Sequence, residues 1–132
     1  TSRNNKVIAS IPVGKSPSAI IFDSDNGHVY VTNTGSDNSR DTVSVIDAST
    51  NKVIATILVG NGPNGITLDS SSGKIYVTNT FSNNVSVIDD SNNKVMTTIS
   101  VGTNPYGIVF NTSNHHVYVA NHGSNTVSVI SP

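Results

Sequence analysis

Three stretches of this chain say nearly the same thing. "HVYVTNTGSDNSRDTVSVIDASTNKV" begins at His28, "KIYVTNTFSNNVSVIDDSNNKV" at Lys74 and "HVYVANHGSNTVSVISP" at His116. A second phrase recurs with them. "VIASIPVG", "VIATILVG" and "VMTTISVG" open at Val7, Val53 and Val95, 46 and then 42 residues apart. The difference of four lies in one loop, where "SDNSRD" (residues 36–41) carries an insertion. Repetition at this period constrains a fold strongly. Each unit is one supersecondary element that buries its face only by stacking on the next.

A period of 40–45 residues suits either a four-stranded propeller blade or a two-helix unit. Local pattern decides between them. Each unit holds four short runs rich in Val, Ile, Thr and Tyr: "GITLD", "KIYVTN", "VSVID" and "KVIATI". Clusters of Gly, Asn, Asp, Ser and Pro separate them. No stripe of apolar residues follows the helical period, and Ala and Leu are scarce. Four strands per period define an all-β chain, a β-propeller of four-stranded antiparallel blades. Residues 1–132 then form a single three-blade unit, with repeats at about 7–52, 53–94 and 95–132.

The strings "VYVTN", "IYVTN" and "VYVAN", each followed by "VSVI", resemble the YVTN-type β-propeller repeat, as do the turns "VGNGPNGI" and "VGTNPYGI". The resemblance covers almost the whole chain. It implies a relative of archaeal surface-layer-like and bacterial envelope propellers, which usually carry about seven blades, within the range for closed propellers. The chain departs from that pattern in having three units. It also has "DSDNG", "DSSSG" and "NTSNH" where many relatives have a Pro-Asp-Gly turn.

Packing explains why these residues recur. A blade is covered on both faces, so both alternating sets on a strand are buried. Ile75 and Val77 are expected to face one neighbour, and Tyr76 and Thr78 the other. The Asn that ends each "VTN" is expected to bond backbone in the turn that follows. Gly14, Gly60 and Gly102 allow the tight passage from outer to inner strand, and Pro17, Pro63 and Pro105 stiffen it.

The order of strands raises a question of closure. The chain opens on an outer-strand sequence, "NKVIASI", and closes on a third-strand sequence, "TVSVI". Three blades do not close a ring. A bare blade face of ~300 Å² forgoes at most about 8 kcal/mol at ~25 cal/mol/Å². The expected solution is a two-fold homodimer forming a six-bladed ring by strand exchange. Lys6, Val7, Ile8 and Ala9 of one copy would pair beside Val127 and Val129 of the other. The alternatives are a fragment of a longer propeller of about seven blades and an open head-to-tail polymer.

Composition narrows the function. Net charge is −1 and charged residues are 11%, so no basic face exists to hold a nucleic acid. No apolar run reaches membrane-spanning length. Cysteine is absent, which removes disulfides, thiolate metal sites and a cysteine nucleophile. Asn, Ser and Thr make up about two-fifths of the chain, far above ordinary usage. Solubility drawn from amides and hydroxyls points to an extracellular or cell-surface setting. "NVS" at Asn84 and "NTS" at Asn111 are glycosylation sequons.

Little in the chain suggests chemistry. His28, Lys74 and His116 share one repeat position, and lysine is no substitute for a zinc-ligating histidine. His116 and His122 lie ~20 Å apart along a strand. "DSDNG" at Asp23–Gly27 looks like the first half of a calcium loop, but no distal Glu follows and the equivalent turns form without its carboxylates. No Gly-x-Ser-x-Gly elbow appears. No metal, no cofactor and no enzymatic activity are therefore expected. Departures from the repeat at one end of the ring mark the candidate ligand-binding residues: Ser18, Asn64 and Tyr106 after the prolines, Thr34, Thr80 and His122 after the asparagines, and Phe81 and Arg40 nearby. Tyr106 and Phe81 are the best anchors for a surface protein or a sugar ring. The expected role is a non-enzymatic module for assembly, adhesion or scaffolding, with carbohydrate binding as the alternative.

Overall fold

From Pro17 onward the β-branched runs become strands, and the Asp- or Asn-led clusters between them become tight turns. The computed structural model describes residues 4–35 and 40–132. Residues 36–39 of the inserted loop lie outside them. Among the described residues there are eleven strands and no helix. Strands β1 (Pro17–Asp23), β2 (His28–Asn33), β3 (Thr42–Asp47) and β4 (Lys52–Leu58) form one antiparallel sheet, neighbours in sequence lying side by side. Strands β5 (Pro63–Asp69), β6 (Lys74–Asn79), β7 (Asn84–Asp89) and β8 (Lys94–Ser100) form the second. Strands β9 (Pro105–Asn111), β10 (His116–Asn121) and β11 (Thr126–Ile130) form a third sheet, of three strands.

The turns share one mechanism. An Asp or Asn at the strand end accepts a hydrogen bond from the backbone N–H two residues on, as Asp69 Oδ1 does from Ser71 at 3.1 Å and Asn111 Oδ1 from Ser113 at 2.8 Å. The fifth residue adopts positive φ and donates its N–H back to the first residue's carbonyl. Gly73 does so to Asp69, Asn93 to Asp89 and His115 to Asn111. "DSSSG" and "NTSNH" thus build the same turn, because His115 takes the left-handed position at φ 61°.

Blades stack through two apolar clusters. Tyr30, Val43, Val45, Ile57 and Val59 of the first blade meet Ile66, Ile75, Val77 and Ile88 of the second. Tyr76, Val85 and Val87 of the second meet Val117 and Val119 of the third. The two sides of β6 are divided as its alternation predicts: Ile75 and Val77 face the first blade, Tyr76 the third. The inner strands pack on one another, β5 between β1 and β9, so they line the side of the arc nearest the ring axis. The fold is therefore an arc of β-propeller blades.

The offset outer strand stays unpaired within a single chain, and one expectation needs correction. Residues 4–13 match an outer strand in sequence but form none. They have no ladder partner among the described residues, and Ile8 is 87% exposed. The asparagines of "VTN" do not turn to the backbone that follows them. Asn79 Nδ2 donates across its own sheet to Asn84 Oδ1 and Ser86 Oγ, both at 2.9 Å. Its Oδ1 accepts from Gly60 N at 3.1 Å, reaching back to the crossing between blades. Asn121 repeats the pattern with Ser128 and Gly102. The side chain lies buried on the sheet and is spent on β7 and the crossing before the next turn begins.

This explains the glycines. A Cβ on Gly60 would sit 2.6 Å from Asn79 Cγ, and one on Gly102 2.6 Å from Asn121 Cγ. Close approach makes the demand here, since neither is among the positive-φ glycines. Gly60→Ala is expected to destabilise by about 1–3 kcal/mol through overpacking. Urea denaturation should show a lower midpoint with unchanged slope.

Candidate functional site

The starts of the inner strands and the loops after β2, β6 and β10 share one end of the arc. Most of the repeat-breaking residues gather there, and hydrogen bonds join them. Thr34 Oγ1 donates to the Pro63 carbonyl at 2.8 Å, and Thr80 Oγ1 to the Pro105 carbonyl at 2.7 Å. Each clips its blade to the next. Asn64 stands between them. Its Nδ2 donates to Thr80 Oγ1 at 2.7 Å and its Oδ1 accepts from Ser18 Oγ at 3.2 Å. Ser18, Thr34, Asn64 and Thr80 thus form one polar chain across the two closed junctions.

A second clip lies one step deeper. Thr32 Oγ1 accepts from Ala19 N at 2.9 Å and donates to the Asn64 carbonyl at 3.0 Å. Thr78 Oγ1 accepts from Gly65 N and donates to the Tyr106 carbonyl, both at 2.8 Å. Each hydroxyl ties the irregular start of its own inner strand to the next blade.

The third blade breaks both clips. Ala120 stands where Thr32 and Thr78 do, and His122 where Thr34 and Thr80 do. His122 meets Tyr106 edge-on, ring centroids 5.6 Å apart. The two rings, with Ala120, Thr126 and Val127, line an open cleft of about 450 Å³. Of the candidate binding residues, Tyr106 and His122 are brought together at this cleft. Phe81 lies by the crossing between the first and second blades, exposed but laid over Gly62, where a Cβ would come 2.4 Å from its ring. Arg40 is elsewhere again: its Nε donates to the Val59 carbonyl at 2.8 Å beside a groove shared with Asn79, Ser82 and Ser86.

Acidic groups at the opposite turns are mostly spent on structure. The Ser49 and Ser91 hydroxyls and N–H groups hold the Asp47 and Asp89 carboxyls below the usual carboxylate range. Burial acts to raise the Asp69 carboxyl, but bonds from Ser71 and Ser72 outweigh it and hold it low. Burial raises the Tyr30 and Tyr76 hydroxyls, as expected of rings packed between blades. No nucleophile–base pair stands out in the cleft.

Comparison with known proteins agrees with this architecture. Hydrazine synthase of Kuenenia stuttgartiensis is similar over 98% of the chain, at 25% identity and a TM-score of 0.78. The Cps50 (Swd1) β-propeller domain of Myceliophteria thermophila is similar over 94%, at 12% identity and a TM-score of 0.75. AztD from Citrobacter koseri is similar over 75%, at 22% identity and a TM-score of 0.62. The chain spans 36%, 41% and 27% of the lengths of those three. No match is found among the curated proteins. The sequence matches the YNCE-like beta-propeller family over residues 2–118, and the chain belongs to that family.

Proposed function

We propose that this chain is a non-catalytic assembly module of the YVTN-repeat type, an arc that closes into a propeller ring with a second copy of itself. One observation carries the proposal: the open faces bear the same side chains as the closed junctions. Tyr118, Val127 and Val129 on the third blade occupy the repeat positions of Tyr76, Val85 and Val87, which the third blade covers. Ile20 and Phe22 on the first blade occupy those of Ile66 and Leu68, which pack on the blade before. Seating one face on the other reproduces a junction the chain already makes twice. Two junctions of ~300 Å² per side come to about 1,200 Å², the lower end of a specific interface. The wealth of Asn, Ser and Thr supports an extracellular or cell-surface setting, where the role is adhesion or scaffolding. Sedimentation should give about twice the 13.8 kDa of one chain. A stable single chain at micromolar concentration would show that the bare faces are covered by blades of a longer polypeptide instead.

A second reading rests on Ala120 and His122. Where the other blades carry clips, the third presents an aromatic cleft, and a sugar ring stacked on Tyr106 suits it. The expected result is a specific glycan-array hit that disappears in Tyr106→Ala. Binding unchanged by that substitution would dismiss the cleft.

A further inference from the structure

At the end of the arc opposite the cleft, three carboxylates from two blades meet. Asp23 ends β1 and is wholly buried. Asp25 lies two residues on in the same turn. Asp90 comes from the turn between β7 and β8 of the next blade. One carboxylate oxygen from each lies within 4.8 Å of the others. Asp23 Oδ1 accepts from Asp25 N at 3.0 Å, while its Oδ2 is buried and has no hydrogen-bond partner.

The repeat shows how unusual this is. Asp69 is the second blade's counterpart of Asp23, and its two oxygens are capped by the Ser71 and Ser72 hydroxyls at 2.6 and 2.7 Å. The first blade replaces those serines with Asp25 and Asn26. Asn26 turns its amide to the Tyr30 hydroxyl and the Asp90 carbonyl, leaving Asp23 uncapped. Asp90 in turn stands where the first blade has Ala48. It packs against Gly73, where a Cβ would lie 2.6 Å from Asp90 Oδ1. Two departures from the repeat, 65 positions apart in sequence, thus converge on one uncapped, buried oxygen. Burial, together with the Asp23 carboxyl beside it, pushes the Asp90 carboxyl up to about 7. Such crowding of like charges is a cost that a cation removes.

We propose that Asp23, Asp25 and Asp90 hold a calcium ion that staples the first blade to the second. Ca²⁺–oxygen bonds of 2.3–2.6 Å set opposed ligands about 4.6–5.2 Å apart, whereas Mg²⁺ draws them to about 4.0–4.2 Å. The three oxygens all lie within 4.8 Å of one another, inside the span of one Ca²⁺, whose flexible shell accepts an all-oxygen set drawn from two turns. Asp25 is exposed and Asp90 half-buried, so water completes the shell. Three carboxylates with no bidentate Glu place the affinity with extracellular calcium modules, a Kd of about 10⁻⁴–10⁻³ M.

The test is calorimetric titration of the full protein with CaCl₂ at constant ionic strength, alongside thermal melts. One site per chain is expected. At tenfold excess over Kd the melting temperature should rise by about 5 °C. The variant Asp25→Ser/Asp90→Ala installs residues that the repeat itself uses at those positions, so it should fold with an unchanged β spectrum and lose at least tenfold in affinity. Asp90→Asn, of equal volume, should lose affinity likewise and is read in parallel. No heat and no melting shift at 10 mM CaCl₂ would overturn the site, as would wild-type affinity in either variant.

Discussion

Val85→Asp will leave the chain unfolded, while Val127→Asp will leave it folded but alone. The two residues occupy one repeat position, on β7 and β11. Val85 is 0% exposed, packed with Tyr76, Val117 and Val119 between the second and third blades. A carboxylate there loses its water and gains no partner. Such a group costs more than about 4–5 kcal/mol, against a whole domain stability of about 5–15 kcal/mol. Val127 is 60% exposed within one chain, and a surface change of that kind shifts folding by no more than about 0.5 kcal/mol. In the proposed ring the same side chain would be covered by the partner's Ile20 and Phe22 face. There the carboxylate is desolvated as it is at position 85. Circular dichroism should therefore show a β spectrum for Val127→Asp and none for Val85→Asp, and sedimentation should show Val127→Asp at the mass of one chain. A Val127→Asp protein that keeps the mass of two chains would mean that the third blade's face is not the seat.

This pair shows what the sequence makes legible. The strands, the turns and the division of β6 between two neighbours follow from a period and an alternation, both local and printed three times. The blade's buried side chains recur because every junction repeats the same packing problem. The asparagine contacts were not legible in the same way. Asn79 looks toward the following turn in sequence, but in space its amide lies over Ser86 and the Gly60 crossing. Only the fold reveals that crossing as a neighbour. The carboxylate cluster is harder still. The turn of Asp23 and Asp25 is incomplete when read alone, because its third carboxylate comes from another blade. The sequence held two separate signals: the half calcium loop at Asp23–Gly27, and Asp90 where the repeat has Ala48. Thr34 and Thr80, singled out as departures facing a ligand, turn out to carry clips between blades. Ala120 and His122, which make neither clip, are the informative departures.

If the proposed ring forms, removing the first ten residues should leave single chains. The third sheet ends at β11, whose outer edge is unpaired among the described residues. The register that β4 makes on β3 shows what would fit there. Val43 pairs with Ile57, Ser44 with Thr56, Val45 with Ala55 and Ile46 with Val53. By the repeat, the partner's Ile11, Ser10, Ala9 and Val7 would align with Val127, Ser128, Val129 and Ile130. Pro12 would fall where Leu58 does, at the outer edge of a sheet, a position that tolerates a residue without an N–H. Deleting residues 1–10 removes most of that ladder and re-exposes a strand edge, a surface prone to pair with whatever it meets. The folded core of the first two junctions is untouched, because residues 4–13 form no strand in the single chain. The truncated chain should keep its β spectrum and sediment as one chain. Two copies joined in tandem by a flexible linker should form a closed ring independently of protein concentration, since exchange is then intramolecular and the effective concentration is in the millimolar range. A truncated chain that still sediments at twice its mass would show that the faces close the ring without the strand, and strand exchange would be removed from the assembly while face-to-face seating remained.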